Sequence, residues 1–430
     1  MRRSNIFMIP FILPFLLALP QGCQKDEALV FDKSASERLQ ESMADIKATL
    51  EGAEYGWRME YFAATSAKDY GGYNFVLKFD SGKVSISYEN DPETTLTSLY
   101  KMTDDNGPVL SFDTYNAFMH YFATPSSARY EARGGDFEFT VRNCSSEEIE
   151  MVGKRSRKLI RMYPLSEKPE TYILKAHNAS EDFLVAFCEG SVGSATVKGS
   201  FDLNYRQLTL DSAEGSVTVP FVTTLTGIKL YNPVEIGGRT VSELDFNSDT
   251  FVLSDPHGGS DVNLKGRLPD DYVQFDFFAG SYVLNYWNNS AKANVTLTPD
   301  PVSRTYTMSG LSSYYTVVLD YNRTLGRLEW NSQNVGSTSS GNSVWLCAWD
   351  AEAGSLSWNT EAGMETVWNK DEENPVFTWT TNGCEDFTGT TSFILWELDP
   401  DNKSVGWFKA NGWDPYNRYY FPVLNNLTKR

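Results

Sequence analysis

The sequence predicts a mainly β protein with one N-terminal amphipathic helix and two β-rich domains, each an antiparallel sandwich or barrel. Three observations predict it. Short runs that alternate apolar and polar residues recur between Gly, Asn and Asp turns along most of the chain. Only Ser34 to Leu50 sustains a helical period. The texture also shifts near residue 270, and ten of the eleven tryptophans lie beyond it among many short strand-like runs, the pattern of sandwiches and barrels.

Taken in order, Ser34 with Glu37 fits a capping box, and Leu39, Met43, Ile46 and Leu50 fall on one face at spacings of four, three and four. Gly52 closes that helix. Trp57 to Phe62 and Tyr73 to Phe79 then alternate with period two. After the Asp80 to Lys83 turn, Val84 to Tyr88 completes a hairpin. Asp113 to Phe122 reads as a short helix with Asp113 as N-cap. Glu167 to Glu170 reads as a small break before a strand at Phe183 to Cys188. The turn residues of Ser254 to Asp261 make a loop. The divisions that follow are a signal peptide at 1–22, a tether at 23–33, an N-terminal α+β domain at 34–265 and a Trp-rich all-β domain at 266–430.

The N-terminus has an export grammar. Arg2 and Arg3 precede an uncharged apolar stretch from Ile6 to Leu19, and Pro20, Gln21, Gly22 and Cys23 follow. Such a stretch is too short to span a hydrocarbon core about 30 Å thick, and Pro10 and Pro14 oppose a permanent helix. The cut site resembles the lipobox of bacterial lipoproteins, with the small Gly22 before the acylated Cys23 and with Pro20 where an aliphatic residue is usual. Gln24 to Glu27 is similar to the acidic signal that sends Bacteroidota lipoproteins to the outer face of the outer membrane. The expectation is an outer-membrane protein held by lipid on Cys23 and facing the cell exterior.

Charge narrows the partners. The chain carries a net charge of −19, and removing residues 1–22 takes away Arg2 and Arg3 and no acid, which makes −21. Phosphate backbones repel such a surface, so nucleic acid is excluded as a partner. Electrostatic docking to anionic lipid is disfavoured in the same way, which leaves the acyl group as the membrane link. At 41% hydrophobic and 14% aromatic, the chain can bury a large core. Cys144, Cys188, Cys347 and Cys384 are too far apart for a metal knuckle. Their pairing stays open, because export permits disulfides while Cys188 and Cys347 sit in apolar runs that suit buried thiols.

Five segments together are similar to a family. They are Ala35 to Leu39, Tyr55 to Trp57, Tyr70-Gly71-Gly72-Tyr73-Asn74-Phe75, Gly107 to Tyr115 and Gly134 to Phe139. Over most of residues 28–235 the chain resembles the Bacteroidota lipoproteins grouped as domain of unknown function 4302. That family has no established activity, so the resemblance implies lineage and location and transfers no catalytic residue. It also implies an association with uptake systems built from an outer-membrane transporter and a surface lipoprotein.

Chemistry-bearing motifs are scarce. His120, His177 and His257 form no metal-binding pair, and the chain has no nucleophile elbow, phosphate loop or dinucleotide fingerprint. No cofactor and no catalytic residue are expected. Asp245, Asn247 and Asp249 alternate as at the start of an EF-hand, making a weak calcium candidate, but Thr250 and Pro256 stand where the loop needs Gly and Glu. Trp345, Cys347 and Trp349 share one strand face and suit a core. Trp413, Tyr416 and Tyr419 lie in a turn-rich segment and are the speculative ligand contacts, since flat rings stack on sugars. The leading expectation is a non-catalytic binding or accessory module of a nutrient uptake system, with glycan as ligand. The alternatives are a structural or protein-interaction lipoprotein and, third, a hydrolase using paired carboxylates.

Overall fold

A computed structural model describes residues 33–65, 70–125, 132–301, 303–369, 375–384, 386–410, 412–413 and 423–430. The chain is mainly β. Helix α1 (Ala35–Gly52) starts as its sequence dictates. The Ser34 hydroxyl accepts from the Glu37 N–H at 3.2 Å, and the Glu37 carboxylate accepts from the Ser34 N–H at 2.9 Å. Met43, Ile46 and Leu50 are buried. At the far end the Trp57 indole N–H donates to the Leu50 carbonyl at 3.0 Å and satisfies one of the orphan acceptors there.

The first body is a nine-stranded antiparallel sheet. Its strands are β1 (Trp57–Tyr61), β2 (Tyr73–Asp80), β3 (Lys83–Tyr88), β4 (Asp91–Leu99), β5 (Lys101–Asp104), β6 (Pro108–Ser111), β7 (Glu138–Cys144), β8 (Ile149–Gly153) and β9 (Leu159–Pro164). The order β4-β3-β2-β1-β9-β8-β7-β6-β5 is two meanders joined where β1 pairs with β9. The β2–β3 hairpin turns at Ser81 and Gly82, with φ of 50° and 79°. Two consecutive left-handed residues make the turn whose twist matches the strands. One face of the sheet packs Phe75, Leu77 and Phe79 with Ile46 and Leu50 of α1 and with Met119. On the other face Val76 meets Tyr172, Ile173 and Ala176.

Two helices depart from the sequence reading. The second, α2 (Ala117–Tyr121), is shorter than expected and is capped by Asn116, not Asp113. The Asn116 side chain reaches the Phe118 and Met119 N–H groups, whereas the Asp113 carboxylate pairs with Lys101 at 2.5 Å. Helix α3 (Pro169–Asp182) stands where a break was expected. Pro169 begins it, because a first-turn residue needs no donor and φ is already helical. His177 lies on this helix.

Eight strands follow from Phe187–Val192 to Val262–Arg267, each paired to the next, and the last pairs with the first to close a barrel. Val197, Phe201, Leu208, Phe221, Leu244 and Leu264 fill its interior, as eight-stranded barrels with packed cores do. A second closed barrel of eight strands runs from Gly280–Tyr286 to Leu424–Lys429. Two insertions between its strands build a five-stranded outer sheet. Val344, Leu346, Ala348, Phe393 and Leu395 on the inner face of that sheet share the core of the second barrel. Residues 34–265, expected as one domain, thus hold an α-β sheet and most of a barrel. The strand that closes the first barrel ends at Arg267.

Candidate functional site

The sheet and the first barrel are fastened by the Tyr70-Gly71-Gly72-Tyr73 segment. The Gly71 N–H donates to the Tyr205 carbonyl at 2.7 Å, and the Gly72 N–H to the Phe221 carbonyl at 2.8 Å. A Cβ on Gly71 would lie 2.2 Å from Arg206 Cβ, and one on Gly72 would lie 2.7 Å from Val222 Cβ. Only glycine lets the two backbones approach this closely. Glu89, just past β3, is fully buried and sits beneath this junction. It pairs with Arg206 of the first barrel at 2.6 Å and accepts from Asn74 at 2.9 and 3.0 Å. Arg206 also donates to the Gly72 carbonyl at 2.7 Å and the Ser180 hydroxyl at 3.1 Å, and its guanidinium lies 4.3 Å from the Tyr73 ring centre. Burial opposes the charge on Arg206, but the Glu89 carboxylate together with Tyr73 and Tyr88 outweighs it and holds the guanidinium above its ordinary value.

The second barrel joins through the same neighbourhood. Arg323 donates to the Ser180 and Glu181 carbonyls at the end of α3, and its backbone N–H donates to Asn204 Oδ1 at 3.2 Å. Thr324 accepts from the Leu203 N–H at 2.7 Å. Arg304 pairs with Glu181. Three bodies therefore converge on one charged knot.

Above the knot lies a cavity of about 340 Å³. Tyr70, Tyr73, Tyr121 and Arg133 line it from the sheet, Tyr205 and Arg206 from the first barrel, and Arg304, Asp320, Arg323, Glu329, Asn331 and Glu361 from the second. Tyr70 and Tyr205 meet across the junction with ring centres 5.5 Å apart. Tyr121 is 46% exposed, and the Arg133 guanidinium stacks on its ring at 4.0 Å. The Tyr205 hydroxyl reaches Glu361 at 3.5 Å, linking the two barrels across the opening. Asp320 and Glu329 are directly opposite in their strand ladder. Asn331 Nδ2 contacts both carboxylates, at 3.4 and 3.5 Å, and Asn322 donates to Glu329 at 2.7 Å. Burial raises the Glu329 carboxyl above its ordinary value of 4.5. Burial and then Arg323 push Arg304 down to about 10, and burial and then Arg206 push Arg323 down to about 10. All these arginines remain cations at neutral pH.

The residues singled out from sequence lie elsewhere. Tyr416, Tyr419 and Cys23 are outside the described residues. Trp413 packs against the second barrel, stacked on Tyr314 at 5.5 Å and edge-on to Phe408 at 4.7 Å. Asp245 accepts from Thr226 Oγ1 at 2.6 Å on the neighbouring strand connection, and Asn247 accepts from the Thr250 N–H at 2.9 Å within its own turn. Asp249 is exposed. Among the described residues no three His, Cys, Asp or Glu side chains gather as a metal site. His120 stacks on Phe137, His177 contacts the Glu89 carbonyl at 2.8 Å, and the His257 N–H donates to Asp255. Cys144, Cys188, Cys347 and Cys384 are free thiols.

Trp345 and Cys347 are buried, in a cluster with Ile394 and Leu398 on the outer face of the five-stranded sheet. Trp345, Trp396 and Trp407 stand opposite one another across three strands of that sheet, and Trp407 is 45% exposed. The cavity residues escaped the sequence reading because they come from many distant segments spread over three bodies. Of the lining, only Tyr70 and Tyr73 lay in a segment marked by the family resemblance, and Tyr88, Tyr121 and Phe122 were read only as parts of a strand and a helix.

Residues 254–396 match a second family described as a domain of unknown function (DUF4987), which the sequence reading did not name. No curated protein matches the chain. Residues 27–248 match the family described as domain of unknown function (DUF4302), which covers the nine-stranded sheet and most of the first barrel, and the chain belongs to that family.

Proposed function

We propose that this chain is a lipid-anchored surface protein of a Bacteroidota outer membrane that captures a glycan, without cleaving it, in the cleft where its three bodies meet. It acts there as an accessory to a nutrient transporter and its surface lipoprotein. The export grammar before Cys23 supports the location. The observation that carries the binding reading is the lining of the cleft. Tyrosine rings offer flat apolar faces, while arginine, asparagine and carboxylate groups offer the donors and acceptors that a polyhydroxylated ligand needs. Its volume lies at the lower end of ligand pockets, about 300–1,000 Å³, which suits a chain end or short oligosaccharide.

A hydrolase reading has one observation in its favour, the Asp320–Glu329 pair with Glu329 raised by burial. Both Glu329 oxygens already accept from Asn322 and Asn331, however, which leaves neither directed at a leaving group. A glycan array probed with the purified protein tests the binding reading. Binding should weaken at least tenfold in Tyr121→Ala and Tyr205→Ala, with no release of reducing sugar. Failure to bind any glycan overturns the reading, and release of reducing sugar replaces it with the hydrolase.

A further inference from the structure

We infer that the ligand of this cleft carries a carboxylate, as an acidic sugar does, and that Arg133 receives it. The inference rests on the cleft being the glycan site. Its basis is an imbalance among the charged groups that face the cavity. Four guanidinium groups line it, those of Arg133, Arg206, Arg304 and Arg323. Two have carboxylate partners, Arg206 in Glu89 and Arg304 in Glu181. Arg323 is 7% exposed, and among the described residues its guanidinium donates to backbone carbonyls alone and its Nε has no hydrogen-bond partner. Arg133 is half-buried and rests on the Tyr121 ring, and among the described residues no carboxylate pairs with it. In a chain of net charge −19, two arginines in one cavity that no described carboxylate pairs with are out of keeping with their surroundings.

The acids of the opposite wall do not fill the gap. Asp320 and Glu329 receive side-chain amides, and Glu361 receives the Tyr205 hydroxyl. The two walls thus have different tasks. Arg133 on the side of the sheet takes a planar anion through paired N–H donors. Carboxylates on the side of the second barrel accept from ligand hydroxyls. Arg133 is the group free to turn, because its ring stack leaves the edge of the guanidinium available, whereas Arg206 is held on three sides. Arg304 and Arg323 add positive potential behind it, and each is already strained by its neighbour's charge. An incoming anion relieves that repulsion.

The test is calorimetric titration of the purified protein with digalacturonate, 3′-sialyllactose, lactose 6-sulfate and lactose, repeated on Arg133→Gln, Arg133→Lys and Tyr121→Ala. The two carboxylate sugars should bind at least tenfold more tightly than lactose. Arg133→Gln should abolish that preference, and Arg133→Lys should restore part of it, since the charge returns without the fork. Tyr121→Ala should weaken every sugar. If lactose binds as well as the acidic sugars, or Arg133→Gln leaves the preference intact, the carboxylate inference is wrong and the glycan cleft survives. If lactose 6-sulfate exceeds the carboxylates with the same dependence on Arg133, the anion is a sulfate ester. If none of the four sugars binds, or Tyr121→Ala changes nothing, the cleft itself is not the site.

Discussion

Replacing Glu89 by Gln removes one charge and almost no volume from the junction of sheet and barrel. Glu89 has no exposed surface, so solvent does not screen its pairing with Arg206, whose side chain is 5% exposed. At an effective dielectric constant of 20, two unit charges about 4 Å apart attract by roughly 4 kcal/mol. The Gln amide would also turn a donor toward the Asn74 N–H, the Asn74 side-chain amide or the Arg206 guanidinium, all of which now donate to the carboxylate. Stranding a buried charge in this way typically costs about 3–5 kcal/mol. Urea denaturation followed by tryptophan fluorescence reads the loss, because Trp57 is buried in the core of the sheet and reports its unfolding. The double variant Glu89→Gln/Arg206→Met should recover most of it, since no charge is then left unpaired. A cost below about 1 kcal/mol for Glu89→Gln, or a double variant as unstable as the two single losses combined, would refute the view that this pair holds the bodies together.

Gly71→Ala should destabilise the protein by about 1–3 kcal/mol, because its Cβ would sit 2.2 Å from Arg206 Cβ with backbone on both sides; thermal unfolding measures it. Glu329 has its carboxyl raised above 4.5 by burial, so the folded state holds that proton to higher pH than the unfolded state does. Its contribution to stability is present below about pH 4.5 and is lost as pH rises through the raised value. Unfolding midpoints of Glu329→Gln should therefore fall less between pH 4.5 and 7 than those of the parent. Cys23→Ala should move the protein from the membrane fraction to the soluble fraction, read by immunoblot after a mild wash; retention in membranes would remove the lipid anchor from the account.

Local physics was legible in the sequence wherever one element decides its own form. The Ser34–Glu37 box, the stripe from Met43 to Leu50 and the Ser81–Gly82 turn all stand as read. Helix α3 was missed because its only strong start signal, Pro169, is also a turn residue, and Lys168 before it makes no side-chain cap. Barrel closure was not legible, since pairing of Phe187–Val192 with Val262–Arg267 joins segments with six strands between them. The cleft was hidden for the same reason. Nothing in the local sequence marks Arg206, Arg304 and Arg323 as inward-facing, and only the fold brings them to one cavity. Tryptophan, the residue that attracted the ligand reading, went largely to the second barrel and its outer sheet, with Trp330 and Trp345 fully buried. Tyrosine and arginine line the cavity instead.

The central claim is that the ligand binds where three bodies converge. Hydrogen–deuterium exchange of the protein with and without saturating digalacturonate tests it most directly. The account predicts slowed exchange together in 70–73, 121–122, 203–206 and 303–323, one segment or more from each body, with little change in 392–407. Protection confined to 392–407, on the tryptophan-bearing outer sheet, would contradict it.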